Sequence, residues 1–260
     1  MRKDDTGGVG IKSLETGYRL LEVLADSMPI GLGKLASKGR ISASRACKYL
    51  ASFQRVGLVK QDPETHLYSL GDAALRLGCL AAAHNDDFRK LQQIQAKLRD
   101  DTAQTVVLSL WTDRGPMIAN IEMGLSPVVA TMKLGTLLPL TSSAAGKTFA
   151  SWLPQNLVRP FVTAELAATQ RNSADGAAES THDAFFELLQ AVRDRGIEHR
   201  YNSMLTHINA IAAPFFDRGA RLVGVLSIIG DENLIDITYD GRLAQALRDA
   251  QNVFRDERKG

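Results

Sequence analysis

The sequence is short of cysteine, of long apolar runs and of net charge. Its 260 residues include only two cysteines, Cys47 and Cys79, which excludes a disulfide-rich secreted scaffold. No stretch approaches the roughly 20 consecutive apolar residues of a membrane-spanning helix, and the N-terminal residues lack the apolar segment of a secretory signal. We therefore expect a cytoplasmic protein in which both thiols are unpaired and buried in apolar-patterned helices.

The net charge is small but unevenly distributed. A formal charge of +2, with 45% hydrophobic residues, is typical of a globular chain, and the length suffices for two domains. Residues 1–78 carry an excess of Lys and Arg, whereas the remaining residues carry a small excess of Asp and Glu. This asymmetry fits an N-terminal region that binds a polyanion, joined to a nearly neutral body.

Residues 42–56 predict a helix with one apolar and one polar face. Apolar residues recur there at spacings of three and four, namely Ala46, Tyr49, Leu50, Phe53 and Val56. Ser42 is a favourable N-cap, and Gly57 suits the left-handed conformation that ends many helices. The other face carries Ser, Arg and Lys side chains, which suits a DNA major groove. A solvated surface helix explains this segment alone equally well, so the flanking residues decide.

The flanking segments predict a winged helix-turn-helix. We predict a first helix that is capped by Ser13 and ends before Pro29, then a short second helix over residues 31–37. The second and third helices, joined by a tight turn, form a helix-turn-helix, in which the later helix is the recognition helix. Residues 58–61 and 66–70 alternate around a Pro-containing turn and predict a β-hairpin, which serves as a wing on the phosphate backbone.

Residues 71–85 predict a linker helix. They are rich in Ala and Leu, and these apolar residues cover more than one helical face. A helix that is apolar nearly all round must be covered. Because this helix lies between two domains, we expect the equivalent helix of a partner chain to cover it.

The rest of the chain predicts a mixed α/β body. The expected helices cover residues 86–103, 142–152, 157–166, 181–195 and 238–257, and the expected strands cover residues 105–111, 116–121, 128–132, 197–201, 208–216 and 221–229. Short turns join several consecutive strands, which favours a mostly antiparallel sheet.

Short sequence segments in both parts of the chain form a recognisable series. In the N-terminal part they are Ser13-Leu14-Glu15, Leu20-Leu21, Lys34-Leu35-Ala36, Ser44, Leu50, Gly57-Leu58-Val59, Tyr68-Ser69-Leu70-Gly71 and Leu77-Gly78. In the body they are Gly135, Leu138-Pro139-Leu140, Ala145-Gly146-Lys147, Arg195-Gly196, Asn209-Ala210-Ile211-Ala212-Ala213-Pro214 and residues 224–230. In this order and at this spacing, residues 13–255 resemble the IclR family of bacterial transcriptional regulators.

The resemblance implies an α+β protein with a GAF-like α/β effector domain. After a polar, Gly-rich tail over residues 1–11 that we expect to be disordered, it implies a winged helix-turn-helix over 12–71, a linker helix over 72–86 and the effector domain over 87–257. It also implies homodimers, often paired as homotetramers, on palindromic double-stranded operators, with no cofactor and no enzymatic activity. The implied function is ligand-responsive control of transcription, with catabolic genes as targets and either repression or activation as the outcome.

The predicted DNA-binding surface comprises residues of the third helix and of the wing. They are Ser42, Ala43, Ser44, Arg45, Lys48, Ser52, Arg55 and Lys60. Arg45 and Lys48 are the candidates for reading bases, because Arg and Lys pair with the acceptor edge of guanine. Ser42 and Ser44 fix the helix N-terminus on a phosphate, and the remaining basic residues are candidates for phosphate contacts.

The predicted effector pocket follows from the resemblance. Its wall is expected to include Pro127, Ala130, Ala144, Ala145, Arg200, Ile208, Asn209, Ala210, Ser227 and Ile229. Some family members carry an acidic residue at the position of Arg200, a Cys at that of Ala210 and a Ser at that of Ile229. The pocket here is therefore more apolar, with Ser227, Asn209 and Arg200 as polar anchors, and it suits a small apolar or aromatic acid.

Two other functions stay open from the residues alone. One is a DNA-binding regulator without a small-molecule effector. The other is a hydrolase that uses Ser142, Ser143 and Lys147, although the residues around these serines do not form a G-x-S-x-G elbow. The histidines and cysteines are scattered and do not show the spacing of metal ligands.

Overall fold

The computed structural model describes residues 10–125, 132–172, 182–201 and 207–256. The chain forms two compact units, one extending to Asn85 and the other beginning at Asp86. Among the helices that the structure describes, none combines the length and the apolar character needed to cross a membrane.

The N-terminal unit contains the predicted three helices, hairpin and linker helix. Its elements are α1 (Lys12–Ser27), α2 (Leu32–Lys38), α3 (Ala43–Arg55), β1 (Val59–Gln61), β2 (Tyr68–Leu70) and α4 (Asp72–Ala83). β1 and β2 are antiparallel, with Val59 opposite Leu70. Gly57 has a φ of +73°, which confirms the left-handed residue predicted at the end of α3.

The core of this unit is formed by the apolar sides of the helices. Its buried members are Leu20, Leu24, Ile30, Leu35, Ala36, Ala46, Leu50, Val59 and Tyr68. The apolar face predicted for α3 is thus confirmed at Ala46 and Leu50. Val56 was expected on the same face and is exposed, because α3 ends at Arg55 and Val56 is already the C-cap residue.

Two local predictions for this unit are wrong. Ser13 does not cap α1, because the helix begins at Lys12 and its N-cap residue is Ile11. Cys47 and Cys79 are free, as expected, but both are exposed rather than buried. Cys47 follows the buried Ala46, but its own side chain is turned outward like that of Lys48. Within α4, all of which the structure describes, no residue is buried.

The C-terminal unit consists of an antiparallel sheet between helices. Its elements are α5 (Asp86–Thr102), β3 (Thr105–Thr112), β4 (Gly115–Glu122), α6 (Ala144–Trp152), α7 (Gln155–Asn172), α8 (His182–Arg195), β5 (Glu198–Arg200), β6 (Ile208–Phe216), β7 (Leu222–Asp231) and α9 (Arg242–Asp256). The strand order is β4-β3-β7-β6-β5. α7 extends the predicted helix at both ends and continues through Pro160, and the strand predicted over 128–132 lies, except for Met132, outside the described residues.

Both faces of this sheet are covered. On one face α5 and α9 pack against residues such as Ile211 and Phe215 of β6, and on the other α6, α7 and α8 pack against Ala210 and Ala212. Successive side chains of a strand point to opposite faces, so a strand buried on both sides becomes a continuous apolar run. This explains the run over residues 210–215 in the sequence.

Candidate functional site

The exposed side of α3 forms the first candidate site. Ser42 caps the helix, since its Oγ accepts a hydrogen bond from the backbone N–H of Arg45 at 3.3 Å. All eight predicted DNA-binding residues are exposed, namely Ser42, Ala43, Ser44, Arg45, Lys48, Ser52, Arg55 and Lys60. Seven of them lie on α3 or at its cap, so the structure brings them together on one surface.

The basic side chains of this surface differ in how they are held. The guanidinium carbon of Arg45 lies 5.9 Å from the centre of the Tyr49 ring, with which it makes a cation–π contact. Arg55 folds back on its own helix, where its Nε donates a hydrogen bond to the carbonyl oxygen of Ala51 at 3.3 Å. Lys60 lies 3.9 Å from a carboxylate oxygen of Asp72, and both side chains are exposed. Such an ion pair is weak, so a phosphate can displace it.

The hairpin after α3 has a fixed tip. The Oδ1 atom of Asp62 accepts hydrogen bonds from the backbone N–H groups of Glu64 and Thr65 and from the Thr65 hydroxyl, at 2.7–3.1 Å. These hydrogen bonds, chiefly those from Thr65, lower the pKa of Asp62. The side chain of Gln61 donates to the carbonyl oxygen of His66 at 2.9 Å. The wing is therefore a locally ordered turn.

α4 exposes apolar side chains. Leu75 is 69% exposed, and Leu77 and Leu80 are also largely exposed. The sequence predicts that these residues are buried against another element. Within the part of the single chain that the structure describes, they are instead exposed to water.

The second candidate site is a small cavity between the sheet and α6. Its volume is about 40 Å³, on a scale where one water needs about 10–15 Å³. Six predicted effector residues line it: Ala144, Ala145, Ile208, Ala210, Ser227 and Ile229. Four further lining residues were missed by sequence reasoning, Val107, Ile118, Met132 and Leu138, whereas Ser143 belongs to the helix start, residues 142–145, that was expected in the wall. Pro127 and Ala130, also predicted here, lie outside the described residues.

Two predicted polar anchors do not line the cavity. Asn209 is buried, but it lies between Ile208 and Ala210, so strand alternation directs its side chain to the opposite face of the sheet. The side chain of Asn209 is therefore not part of the lining of this cavity. Arg200 lies beside the cavity, where it pairs across the strands with Ala210. Its Nε donates a hydrogen bond to the carbonyl oxygen of Ser142 at 3.2 Å, which places the guanidinium at the start of α6.

A cluster of cations lies along the same edge of the sheet. The buried carboxylate of Glu198 pairs with Lys147 at 3.5 Å and with Arg195 at 3.4 Å. Burial lowers the pKa of Lys147, the Glu198 carboxylate opposes this, and the positive charge of Arg200 lowers the pKa further. Two cations pair with one carboxylate and Arg200 adds a third positive charge at the start of α6, so these four side chains together carry an excess of positive charge.

The residues proposed for a hydrolase are engaged in structural contacts. The Ser143 hydroxyl donates to the carbonyl oxygen of Pro139 at 2.6 Å and accepts from the N–H of Gly146 at 2.9 Å, as the N-cap of α6. Lys147 is paired with Glu198. Neither group is therefore placed as the nucleophile or the base of a hydrolase.

Comparisons with known proteins agree on one class. Residues 80–253 match the family model described as bacterial transcriptional regulator IclR C-terminal. The chain is 27% identical over 225 residues to the glycerol operon regulatory protein of Streptomyces coelicolor, covering 85% of each.

Solved structures extend the likeness to both units. HmgR of Pseudomonas aeruginosa is 29% identical and superposes with a TM-score of 0.59, over 95% of this chain and 98% of that one. An IclR homologue from Microbacterium hydrocarbonoxydans, complexed with 4-hydroxybenzoate, is 16% identical and shares the fold with a TM-score of 0.72, over 95% and 99% of the two chains.

Proposed function

Because the chain belongs to the IclR family of bacterial transcriptional regulators, we propose that α3 reads operator DNA and that the cavity binds the effector. The observation that carries this proposal is the amphipathic α3, which buries Ala46 and Leu50 and exposes Arg45 and Lys48. A helix of this kind, followed by a hairpin wing, fits the major groove. We expect the protein in the cytoplasm, where the bacterial chromosome lies.

The reading helix divides its contacts between bases and phosphates. Arg45 and Lys48, in its first half, contact base edges, whereas Ser42 and Ser44 hold the helix N-terminus on a phosphate. Ala43 and Ser52 lie on the same exposed side and complete the contact surface. The remaining basic residues contact the phosphate backbone and contribute affinity without sequence preference.

The exposed leucines of α4 support a dimer. We infer that α4 of a second copy covers Leu75, Leu77 and Leu80, because a monomer would leave this apolar helix in water. A two-fold dimer presents two α3 helices to half-sites about 34 Å apart, which requires a palindromic operator. This contact between two α4 helices is compatible with a single dimer and with two dimers paired as a tetramer.

The cavity supports a small aromatic or apolar acid as effector. Its lining is almost entirely apolar, and Arg200 lies beside it with the cations that surround Glu198. A guanidinium pairs well with a carboxylate, so the acid group would lie at the edge of the cavity and the apolar body against its lining, which has to widen beyond about 40 Å³ to admit an aromatic ring. The structural neighbour complexed with 4-hydroxybenzoate is consistent with such a ligand on this fold.

Regulation requires that the effector bind two states of the dimer with different affinity. Operator half-sites have a fixed helical spacing, so a ligand that changes the separation of the two α3 helices changes DNA affinity. We infer that α4 transmits this change.

The test begins with the DNA that the purified full-length chain retains from fragmented genomic DNA. Sequencing should recover a palindromic site, which is then titrated by fluorescence anisotropy with and without benzoate and its neutral methyl ester. We expect the acid, and not the ester, to change operator affinity. Operator binding without a response to any carboxylate in a wider calorimetric panel would favour the regulator without an effector, and absence of DNA binding would refute the proposal.

A further inference from the structure

We propose that Glu165 of α7 limits the size of the ligand that the cavity admits, because its carboxylate holds the turn before α6, residues 140–142. This inference rests on the proposal that the cavity holds the effector. The backbone N–H of Leu140 donates a hydrogen bond to Oε1 of Glu165 at 2.8 Å. The backbone N–H and the hydroxyl of Thr141 both donate to Oε2, at 2.9 and 2.8 Å. We call these three hydrogen bonds the Glu165 clamp.

The cavity lies between a wall made by the sheet and a wall made by the start of α6. Six of the eleven described lining residues lie on β3, β4, β6 and β7, where backbone hydrogen bonds hold each strand to its neighbours. Most of the others precede or begin α6, namely Leu138, Ser143, Ala144 and Ala145. The turn held by the Glu165 clamp connects Leu138 to Ser143 and so belongs to this second wall.

A ligand with an aromatic ring has to displace one of these walls. The cavity has a volume of about 40 Å³, whereas an apolar cavity of about 150 Å³ holds one benzene molecule. Moving a central strand breaks its hydrogen bonds to two neighbours and disturbs the cores on both faces of the sheet. Moving the start of α6 outward chiefly breaks the Glu165 clamp and the hydrogen bond from Arg200 to the carbonyl oxygen of Ser142. The second wall is therefore the one that gives way.

The turn and the start of α6 are tightly joined. A Cβ atom at Gly146 would lie 2.0 Å from the carbonyl oxygen of Pro139, so the helix and the chain before it are in close contact. The Ser143 hydroxyl joins the same two residues, since it donates to the carbonyl oxygen of Pro139 and accepts from the N–H of Gly146. The clamp on the turn thus resists an outward shift of α6. Glu165 is a positioning residue, because it does not line the cavity but holds one of its walls.

Binding of an acid makes the Glu165 clamp the main restraint on the turn. An acid group that pairs with Arg200 competes with the carbonyl oxygen of Ser142 for the guanidinium, so the turn loses its hydrogen bond on that side. A ligand's affinity falls in proportion to the population of the conformation that can bind it. Weakening the clamp therefore raises the affinity for ligands that are too large for the closed cavity and leaves the affinity for smaller ones unchanged.

The test compares probes of different size in methyl chemical-shift titrations of the full-length protein. The acid pair is acetate, whose methyl group fits the closed cavity, and benzoate, whose ring does not. The neutral pair is xenon and benzene.

Two variants weaken the clamp to different degrees. Glu165→Gln keeps the size of the side chain but removes its charge, and Thr141→Val removes only the hydroxyl donor. Glu187→Gln, at an exposed glutamate of α8, is the matched control. We expect Glu165→Gln to bind benzoate and benzene about threefold to tenfold more tightly than the wild type. Thr141→Val should show a smaller gain, and the affinities for acetate and xenon should stay unchanged.

Hydrogen exchange gives a readout that a purely structural role of Glu165 would not change. In the wild type, saturation with benzoate should speed the exchange of the Leu140 and Thr141 amides, because opening of the cavity breaks the clamp. Saturation with acetate should leave both amides protected, and the amides of β7 should stay protected with either ligand.

The possible outcomes separate the clamp from the acid effector. An unchanged ratio of benzoate to acetate affinity in Glu165→Gln, or an equal gain in Glu187→Gln, overturns the clamp, as do Leu140 and Thr141 amides that bound benzoate leaves fully protected. Thr141→Val carries the same test if Glu165→Gln does not fold. Tighter binding of benzene in Glu165→Gln, without binding of any acid, supports the clamp and refutes the acid effector. Failure of every probe to bind the wild type and Glu165→Gln overturns both.

Discussion

Arg45 carries its charge on the exposed side of α3, where its guanidinium contacts the ring of Tyr49. We predict that Arg45→Ala lowers operator affinity by about 1–3 kcal/mol and relaxes the preference for one base pair, because a bidentate contact to guanine is lost. Anisotropy titrations of the operator and of single-base variants at fixed salt measure both effects.

Arg55→Ala provides the matched control for that titration. Arg55 lies on the same helix but folds back toward Ala51 and Ser52. Its loss should weaken binding to all sequences alike and reduce the salt dependence of binding, as expected for a phosphate contact. Wild-type operator affinity in Arg45→Ala would remove this residue from the reading surface.

His207 offers a pH measurement in the C-terminal unit. It forms a hydrogen bond with the Glu232 carboxylate, and this contact raises the pKa of His207 above the ordinary value of about 6.5. The stabilisation is therefore complete below the ordinary pKa and is lost as the pH rises through the raised one. We predict that Glu232→Gln lowers the pKa of His207, as followed by NMR titration of the imidazole. An unchanged pKa would show that the pair does not form in solution.

At the level of elements, the start of α6 depends on one glycine. A Cβ atom at Gly146 would lie 2.0 Å from the carbonyl oxygen of Pro139, so the loop and the helix cannot both keep their positions. We predict that Gly146→Ala destabilises the C-terminal unit by about 1–3 kcal/mol or more, measured by thermal and urea unfolding. Gly33→Ala, in α2 with open space around it, should instead stabilise by about 0.5–1 kcal/mol. Equal effects would refute the steric argument.

The elements that the sequence predicted well are those determined by local signals. α3 has its cap at Ser42, its apolar spacing and its terminal Gly57 within one segment, and the cap, the glycine and the apolar spacing apart from Val56 were confirmed. The β-hairpin after it was confirmed for the same reason, since its turn residues lie between two short alternating runs.

Most of the failures depend on contacts that are distant in the sequence. The exposure of Cys79 depends on what covers α4, which a single helix does not reveal. Val107 and Ile118 were missed in the cavity because β3 and β4 reach it only through pairing with the distant β7. Asn209 was placed in the cavity through the resemblance, whereas simple alternation between Ile208 and Ala210 would have directed it away.

At the scale of the whole molecule, the proposed dimer depends on contacts that a single chain does not contain. Leu75 of α4 is 69% exposed. A charged side chain at this position would destabilise the contact with a partner helix but would leave α4 itself folded. We predict that Leu75→Glu shifts the dimer toward monomer in sedimentation equilibrium and lowers operator affinity. Leu188→Glu, at a comparably exposed leucine of α8, should change neither property. An unaltered dimer in Leu75→Glu would place the interface elsewhere.

Stoichiometric titration of the genomic fragment bound most tightly by the intact chain tests the central claim most directly. At low salt, the reading surface on α3 predicts saturation at two chains per palindromic site and clear discrimination against scrambled DNA of equal length. A chain that stays monomeric and shows the same weak association with both fragments would contradict the claim.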